Sequence, residues 1–229
     1  MRIRHIKGAE EAVAANPYVI QDPEARKGSW KLGVFGNDHP LYLEVGMGMG
    51  TFIRTHSLLH PEIDYIGFEL NTTVLYKAMN RYEKERTDRG LSTAAEDCNL
   101  RFIRNDARFL ADYFAQGEVD RIYLNFSDPW PKDKNANKRL TSPQFLKLYD
   151  QILKQGGQIE FKTDNRGLFD YSVETIQANG WKLTALTYDL HADAVLNEGN
   201  VMTEYEAKFS AKGNPIFKLI AVRENDATA

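Results

Sequence analysis

The feature that most constrains the fold of this chain is a glycine-rich segment, Glu44-Val45-Gly46-Met47-Gly48-Met49-Gly50-Thr51. It continues a largely apolar run that extends from Leu41 to Val45. The apolar run predicts a β-strand, and the residues after Gly50 have helical periodicity. Glycine-rich turns between a strand and a helix let the backbone approach a ligand closely at the carboxyl edge of a sheet. A tight turn without a ligand also favours glycine, so the turn alone predicts only an α/β fold.

The rest of the chain supports that fold, because apolar stretches of strand length alternate with stretches of helical period. We expect a Rossmann-like, mostly parallel seven-stranded sheet with helices on both faces and an antiparallel edge strand. Asn71 is placed to cap the long helix after the second strand. The predicted strands are residues 41–45, 65–69, 100–105, 119–126, 158–162, 181–188 and 216–222, and clear helices are predicted at 143–155 and 166–178.

The first forty residues differ from the rest, because they show little periodicity and are basic in places. We predict that residues 1–40 form a loosely packed basic arm and that residues 41–229 form a single domain. A merely solvated tail is the simpler interpretation of such an arm. Its basic residues are Arg2, Arg4, Lys7, Arg26, Lys27 and Lys31.

Composition excludes several classes of protein. With 42% hydrophobic and 27% charged residues among 229, the chain is typical of globular proteins, and its net charge of -3 argues against an extensive phosphate-binding surface. A single cysteine, Cys98, excludes an internal disulfide and favours a reducing, cytoplasmic location.

Apolar runs are too short to span a membrane, and Glu10 and Glu11 interrupt the start of any signal peptide. His56 and His60 lack an evident third ligand, so no metal is expected.

Two carboxylates narrow the identity of the ligand at the glycine turn. Glu69 ends the second predicted strand, 19 residues after Gly50, and can accept hydrogen bonds from ribose hydroxyls of NAD or of S-adenosylmethionine. The spacing is Gly-x-Gly-x-Gly rather than Gly-x-Gly-x-x-Gly. Glu44, two residues before the first glycine, would repel a pyrophosphate but favour a cationic amino acid moiety. The sequence therefore favours S-adenosylmethionine, with S-adenosylhomocysteine as the product.

The glycine turn resembles motif one of the class I methyltransferases. This resemblance implies cofactor binding by Glu44, Gly46, Gly48 and Glu69, and it implies that a polar or acidic residue after the third strand meets the adenine. Asp106 occupies that place, where it can equally serve as a helix N-cap.

A second motif follows the fourth predicted strand: Asn125-Phe126-Ser127-Asp128-Pro129-Trp130-Pro131-Lys132. It resembles the tRNA (guanine-N7-)-methyltransferase family, and the resemblance covers residues 41 to about 220. The family implies methyl transfer to N7 of guanine 46 in the tRNA variable loop, with Asp128 near the cofactor and the reacting base. Further matching strings are Lys138-Arg139-Leu140, Phe161-Lys162-Thr163-Asp164-Asn165 and Thr203-Glu204-Tyr205-Glu206.

The implied chemistry suits these residues. Guanine N7 carries a lone pair and no proton, so its attack on a sulfonium methyl needs no general base, and positioning should dominate the rate. A carboxylate such as Asp128 would stabilise the positive charge that passes to the purine. Trp130 would either stack on the base or fill a hydrophobic gap.

Guanine presents N1 and its exocyclic amine as donors, so a selective site needs acceptors. The family match assigns substrate binding to Lys132, Asp164, Thr203, Glu204, Tyr205 and Glu206. The alternatives are that Asp164-Asn165 makes a turn and caps the next helix, and that Thr203-x-x-Glu206 is a capping box. Three further cations are predicted to contact the RNA backbone, although a surface charge run is usually only solvated: Lys134, Lys138 and Arg139.

Two other functions remain open from the sequence. An NAD-linked oxidoreductase would need a hydride-transfer constellation, which is not evident. A non-catalytic RNA-binding module would be expected to lose the carboxylates of Glu44, Glu69 and Asp128, yet all are present. The predicted partner is tRNA, with no membrane, and the chain is expected to be a monomer or a homodimer.

Overall fold

The computed structural model describes residues 5–223, and the chain divides into two compact units between Phe114 and Ala115. The first unit contains three parallel strands in the order β3-β2-β1, with β2 paired to both neighbours. Their bounds are β1 Leu41–Val45, β2 Asp64–Phe68 and β3 Leu100–Ile103; the helices are α1 Ala9–Ala15, α2 Thr51–Leu59, α3 Thr72–Asp88 and α4 Leu110–Tyr113. Asn71 caps α3 as predicted, because its side chain accepts a hydrogen bond from the Val74 amide.

The amino-terminal segment is packed into the first unit. Val13 and Tyr18 belong to the same buried cluster as side chains of α3, and the Tyr18 ring meets the Tyr82 ring edge to face. Backbone hydrogen bonds join Tyr18 and Ile20 to Phe102 of β3. The prediction of a loosely packed arm is therefore wrong for residues 5–40, whereas Arg2 and Arg4 lie outside the described residues. Because its apolar residues are irregularly spaced, the segment shows no periodicity from which burial could be inferred.

The second unit contains four strands in the order β4-β5-β7-β6. β4 and β5 are parallel, and β7 is antiparallel to both of its neighbours, so the antiparallel strand lies between β5 and the outer strand β6. The bounds are β4 Val119–Asn125, β5 Leu153–Thr163, β6 Trp181–Thr187 and β7 Phe217–Arg223; the helices are α5 Pro143–Ile152, α6 Arg166–Ala178 and α7 Glu204–Ser210.

The largest boundary difference concerns α5 and β5. The helix ends at Ile152 rather than 155, and β5 begins at Leu153 rather than Gln158. Gly156 adopts a left-handed φ of 75°, and the register with β4 shifts between Val119 and Arg121. Gly156 and Gly157 therefore lie at an irregularity within β5 and not at the end of the preceding helix.

Several of the predicted site residues lie at or just beyond the carboxyl ends of parallel strands within their own units. Gly46, Glu69 and Asp106 follow β1, β2 and β3 in the first unit, and Asp128 and Asp164 follow β4 and β5 in the second. Within residues 5–223, no helix has the length and apolar character needed to cross a membrane.

Candidate functional site

The glycine turn of the first unit owes its shape to three left-handed residues. Gly46, Gly48 and Gly50 have φ values of 76°, 56° and 70°, which side chains other than glycine rarely adopt. Apart from the adjacent residues of the chain, no described atom lies within 4 Å of a Cβ built on Gly46 or Gly48, so backbone conformation rather than crowding requires glycine there. The amides of Gly46 and Met47 donate to the Phe68 carbonyl at 3.0 and 2.9 Å, which anchors the turn to the end of β2.

Glu69 connects the glycine turn to helix α3. One carboxylate oxygen accepts a hydrogen bond from the Gly48 amide at 3.0 Å, and the other accepts one from the Asn71 amide at 2.8 Å. Glu69 is half-buried, whereas Glu44 is buried inside β1. These two contacts hold the Glu69 carboxylate beside the turn, where a carboxylate can accept hydrogen bonds from ribose hydroxyls. The residues of this unit therefore fit an adenosine-bearing cofactor with ribose hydroxyls.

Asp106 is the N-cap of a short helical turn that follows β3. Its carboxylate accepts a hydrogen bond from the Arg108 amide at 2.9 Å and pairs with the Arg108 guanidinium at 2.7 Å. Burial acts to raise the pKa of Asp106, but the hydrogen bonds and charge of Arg108 outweigh it and lower that pKa overall. The capping role is confirmed, and the role in cofactor binding stays a prediction.

In the second unit, the segment from Phe126 to Pro131, here called the proline-rich segment, has a strained backbone. Phe126 and Trp130, with φ of 51° and 41°, are the only non-glycine residues between 5 and 223 that have positive φ. The Phe126 amide donates to the Lys162 carbonyl of β5 at 2.8 Å. Asp128 lies between the two strained residues with an exposed side chain. Such strain costs about 1–3 kcal/mol per residue and is concentrated at functional sites.

The basic residues that follow this segment fold back onto it. Arg139 donates to the carbonyls of Pro129 and Trp130 at 3.1 and 3.0 Å, and its guanidinium lies 4.2 Å from the ring centroid of Tyr171 in α6. Nε and Nη2 of Arg139 are therefore used within the protein, and the predicted contact of Arg139 with the RNA backbone stays a prediction. The exposed Lys138 ammonium lies 4.7 Å from the Trp130 ring centroid.

Lys132, Lys134 and Lys138 have exposed side chains, as a phosphate-binding role requires. Their roles stay predictions.

Glu206 lies in a buried ionic network rather than at a surface. Its carboxylate and the Lys162 ammonium pair at 2.7 Å, and both side chains are fully buried. His191 and Asn200 contact the second oxygen of Glu206 at 3.0 and 2.8 Å. Burial lowers the pKa of the Lys162 ammonium, and Glu206 opposes that effect. The prediction that Glu206 contacts guanine is therefore wrong: it anchors α7 to β5.

The exposed side of α7 brings several predicted substrate residues together. Thr203 caps the helix by accepting a hydrogen bond from the Glu206 amide at 2.9 Å, which confirms half of the capping box. The Tyr205 hydroxyl donates to Asp164 at 3.4 Å, and the Tyr205 ring lies 5.1 Å from the Phe126 ring. Burial, followed by the Asp164 charge, raises the pKa of Tyr205.

The Asn165 side chain caps α6 by accepting a hydrogen bond from the Leu168 amide at 2.8 Å, so the cap expected from Asp164-Asn165 is confirmed and is made by Asn165 rather than Asp164. Asp164 and the exposed Glu204 therefore remain candidates for contacting a base.

Two residues that contact predicted site residues, Lys162 and Tyr171, were not singled out from the sequence. Lys162 lies close to the apolar Ile159 and Phe161 in a predicted strand, which is an unusual place for a lysine and was the signal available from the sequence. Tyr171 gave none, because an aromatic residue on a helix is ordinarily a packing residue. No three His, Cys, Asp or Glu side chains among residues 5–223 are arranged to hold a metal ion.

Comparisons with known proteins identify the family of the chain. A family model described as "Putative methyltransferase" matches residues 38–219. The tRNA (guanine-N(7)-)-methyltransferase of Lachnoclostridium phytofermentans is 49% identical over 226 residues, covering 99% of this chain and all of that protein. The protein of the same name from Streptococcus equi subsp. equi is 48% identical over 222 residues, covering 96% of this chain and 99% of that protein.

A solved structure shows the same fold at low sequence identity. "Structure of an Antibiotic Related Methyltransferase" aligns with a TM-score of 0.58 and 15% identity over 82% of this chain and 89% of that chain. The predicted Rossmann-like α/β methyltransferase fold is thereby confirmed, and the NAD-linked alternative loses its support. With identity near one half along nearly its whole length, the chain belongs to the tRNA (guanine-N(7)-)-methyltransferase family.

Proposed function

We propose that the chain transfers a methyl group from S-adenosylmethionine to N7 of guanine 46 in the variable loop of tRNA. The observation that carries the proposal is the near full-length identity with relatives named for guanine-N7 methylation of tRNA. The exposed Asp128 on the strained proline-rich segment supports it, because this motif is part of the family resemblance. The proposed location is cytoplasmic, where tRNA substrates are available.

The first unit is proposed to bind the cofactor. S-adenosylmethionine, when bound, supplies a methyl group on a positively charged sulfur. Gly46 and Gly48 allow close approach of the backbone, and the Glu69 carboxylate accepts hydrogen bonds from the ribose hydroxyls. Glu44 favours the cationic amino acid moiety through its charge, and Asp106 contacts the adenine.

The second unit is proposed to bind and orient the guanine. Asp164 and Glu204 accept hydrogen bonds from N1 and the exocyclic amine, and Tyr205 supports the base with its half-exposed ring. Because N7 is already an unprotonated nucleophile, no side chain has to remove a proton. Asp128 acts as the catalytic residue by stabilising the positive charge that develops on the purine.

Three lysines of the second unit are proposed to contact the RNA. Lys132 lies beside the proline-rich segment and contacts the substrate nucleotide, while Lys134 and Lys138 contact phosphates. The overall charge of -3 leaves room for such a local site, because these cations lie within seven residues of each other. The affinity for tRNA is therefore expected to decrease as salt concentration rises.

Labelled S-adenosylmethionine and unmodified tRNA transcripts test the reaction. We expect label in the tRNA, and we expect borohydride and aniline to cut the product at position 46 only. A transcript with adenine at position 46 is the matched control and should accept no label. Cutting at another guanine would refute the proposed position, and label on protein alone would refute the proposed function.

Asp128→Asn tests the catalytic role with a nearly isosteric change. Removal of the charge should lower kcat about 100-fold or more, by analogy with the loss of other preorganised electrostatic groups. Asp133→Asn is the control, because Asp133 is an exposed carboxylate five residues further along the chain. Equal kcat values for the two variants would exclude Asp128 from catalysis.

A further inference from the structure

The proline-rich segment needs contacts that hold its strained backbone in place. A bulky residue in the left-handed region persists only where its surroundings over-determine the conformation, and both Phe126 and Trp130 are bulky. The Phe126 end is held by the hydrogen bond from its amide to the Lys162 carbonyl. The Trp130 end lies next to two prolines, which cannot donate backbone hydrogen bonds.

Arg139 supplies the contacts at the Trp130 end. Its Nε donates to the Pro129 carbonyl at 3.1 Å and its Nη2 to the Trp130 carbonyl at 3.0 Å, so one planar group holds two successive peptide units. The Tyr171 ring lies 4.2 Å from the guanidinium carbon and supports its flat face. A lysine lacks both the fork of donors and the planar stacking surface, so arginine is required for this geometry.

We propose that Arg139, supported by Tyr171, is a positioning residue for methyl transfer. By fixing the carbonyls of Pro129 and Trp130, it fixes the direction in which the neighbouring Asp128 carboxylate points. This inference rests on the proposed function of Asp128 and deepens it, since it names the side chains that orient that carboxylate. A phosphate-binding Arg139 would have a different signature, because loss of a phosphate contact weakens RNA binding while leaving the reacting groups in place.

The kinetic test separates these two roles. For Arg139→Ala we expect kcat to decrease on the order of 100-fold, because small displacements of reacting groups have effects of that size. The KM for tRNA should change less than about twofold, and the salt dependence of tRNA binding should remain that of the wild type. A phosphate contact instead predicts a raised KM and a salt slope reduced by about one, with an unchanged kcat. That second pattern would overturn the proposal.

Conservative variants and chemical rescue separate positioning from a general loss of structure. Arg139→Lys keeps the charge and should still lose about tenfold in kcat, because it replaces two charged hydrogen bonds by one. Added methylguanidinium should restore part of the kcat of Arg139→Ala and none of that of Arg139→Lys. Tyr171→Phe should retain activity, whereas Tyr171→Leu should lose it. Full activity of Arg139→Lys would contradict the proposed geometry.

Arg166→Ala is the matched control. Arg166 is also in the second unit, its guanidinium lies 4.5 Å from the Tyr188 ring, and it pairs with Asp170. It makes no hydrogen bond to the proline-rich segment in the described contacts, so its loss should leave kcat unchanged. An equal decrease in kcat for Arg166→Ala and Arg139→Ala would show a non-specific effect and overturn the proposal.

Trp130 provides a readout that does not depend on methylation. Trp30 and Trp181 are buried, with 0% and 3% exposure, so acrylamide quenching of tryptophan fluorescence reports mainly on Trp130. We expect greater quenching in Arg139→Ala, reversed by methylguanidinium, and no change in Arg166→Ala. Unchanged quenching in Arg139→Ala would refute the proposal that Arg139 holds the Trp130 end of the segment, even if tRNA proved to be methylated. A wild-type protein inactive on tRNA would instead refute the proposed function alone.

Discussion

The buried pair of Lys162 and Glu206 allows a quantitative prediction. All three hydrogens of the Lys162 ammonium have acceptors, at 2.7 Å in Glu206, 3.0 Å in Asn200 and 3.1 Å in Val201. Lys162→Met removes this cation and leaves the Glu206 carboxylate buried with only His191 and Asn200 as partners. Breaking a buried ion pair by removing one member costs about 3–5 kcal/mol. We expect the free energy of unfolding to decrease by about that amount.

Two further variants test the reasoning behind this magnitude. Glu206→Gln keeps the shape and one acceptor, so it should lose only about 1.5–3 kcal/mol, the contribution of a charged hydrogen bond. In Lys162→Met/Glu206→Leu no charge is left buried without a partner. The double variant should therefore lose less unfolding free energy than Lys162→Met and Glu206→Leu lose in sum. In this double-mutant cycle we expect a coupling energy of about 2 kcal/mol.

Urea titrations at pH 7 measure the free energy of unfolding of each variant. The slope of this free energy against urea concentration is compared between variants, because a changed slope would indicate a changed native or denatured state. The reasoning would be refuted by a loss below about 1 kcal/mol for Lys162→Met, or by simple additivity of the single variants, because contacting residues in one network are expected to be coupled. Lys182→Met is the control: Lys182 lies exposed on β6, and its replacement should be nearly neutral.

The same pair predicts how stability depends on pH. Burial by itself raises the pKa of Glu206, but Lys162, with His191 and Asn200, lowers it below its ordinary value of 4.5. A carboxyl group whose pKa is lower in the folded state stabilises the fold above its unfolded-state pKa and loses this contribution as the pH falls through the folded-state value. The stability difference between the wild type and Glu206→Gln should therefore narrow below about pH 4.5.

Three more predictions concern the first unit. Glu69→Gln should raise the Kd for S-adenosylmethionine about tenfold in calorimetry, because a charged acceptor is lost; an unchanged Kd would exclude Glu69 from the cofactor site. Gly48→Ala should cost about 1–2 kcal/mol in urea unfolding, because φ is 56° there, although there is space for the methyl group; a neutral result would contradict the strain argument. Burial raises the pKa of Asp64, so the contribution of Asp64 to stability decreases as pH rises through the carboxyl range. Asp64→Asn should therefore gain stability relative to the wild type between about pH 3 and 7; a constant difference would show that Asp64 ionises normally.

Sequence reasoning was most accurate where the cause of a structure is local. The first strand was predicted at 41–45 and is observed at Leu41–Val45, and Asn71 caps its helix as expected. Left-handed φ values at Gly46 and Gly48 agree with the glycine-rich turn. Strand ends were displaced by one or two residues at several places, and by five at β5, because pairing with a neighbouring strand rather than the segment's own pattern sets where a strand begins.

Long-range contacts decided the roles that sequence reasoning assigned wrongly. The string Thr203-Glu204-Tyr205-Glu206 contains two similar acids, yet one is exposed and the other is fully buried. Only the position of Lys162, 44 residues earlier in the chain, distinguishes them. Arg139 likewise differs from its lysine neighbours through a distant contact, because its guanidinium lies over the ring of Tyr171 on α6.

The amino-acid sequence by itself determined the α/β alternation, the glycine turn and the family motifs, because periodicity, turn glycines and helix caps act over a few residues. The tertiary structure alone decided that the amino-terminal segment is packed, that Glu206 is an anchor and that Arg139 holds the proline-rich segment. A side chain's role depends on which partners surround it and on how far it is removed from water. Those partners come from distant parts of the chain, so folding has to bring them together before the role exists.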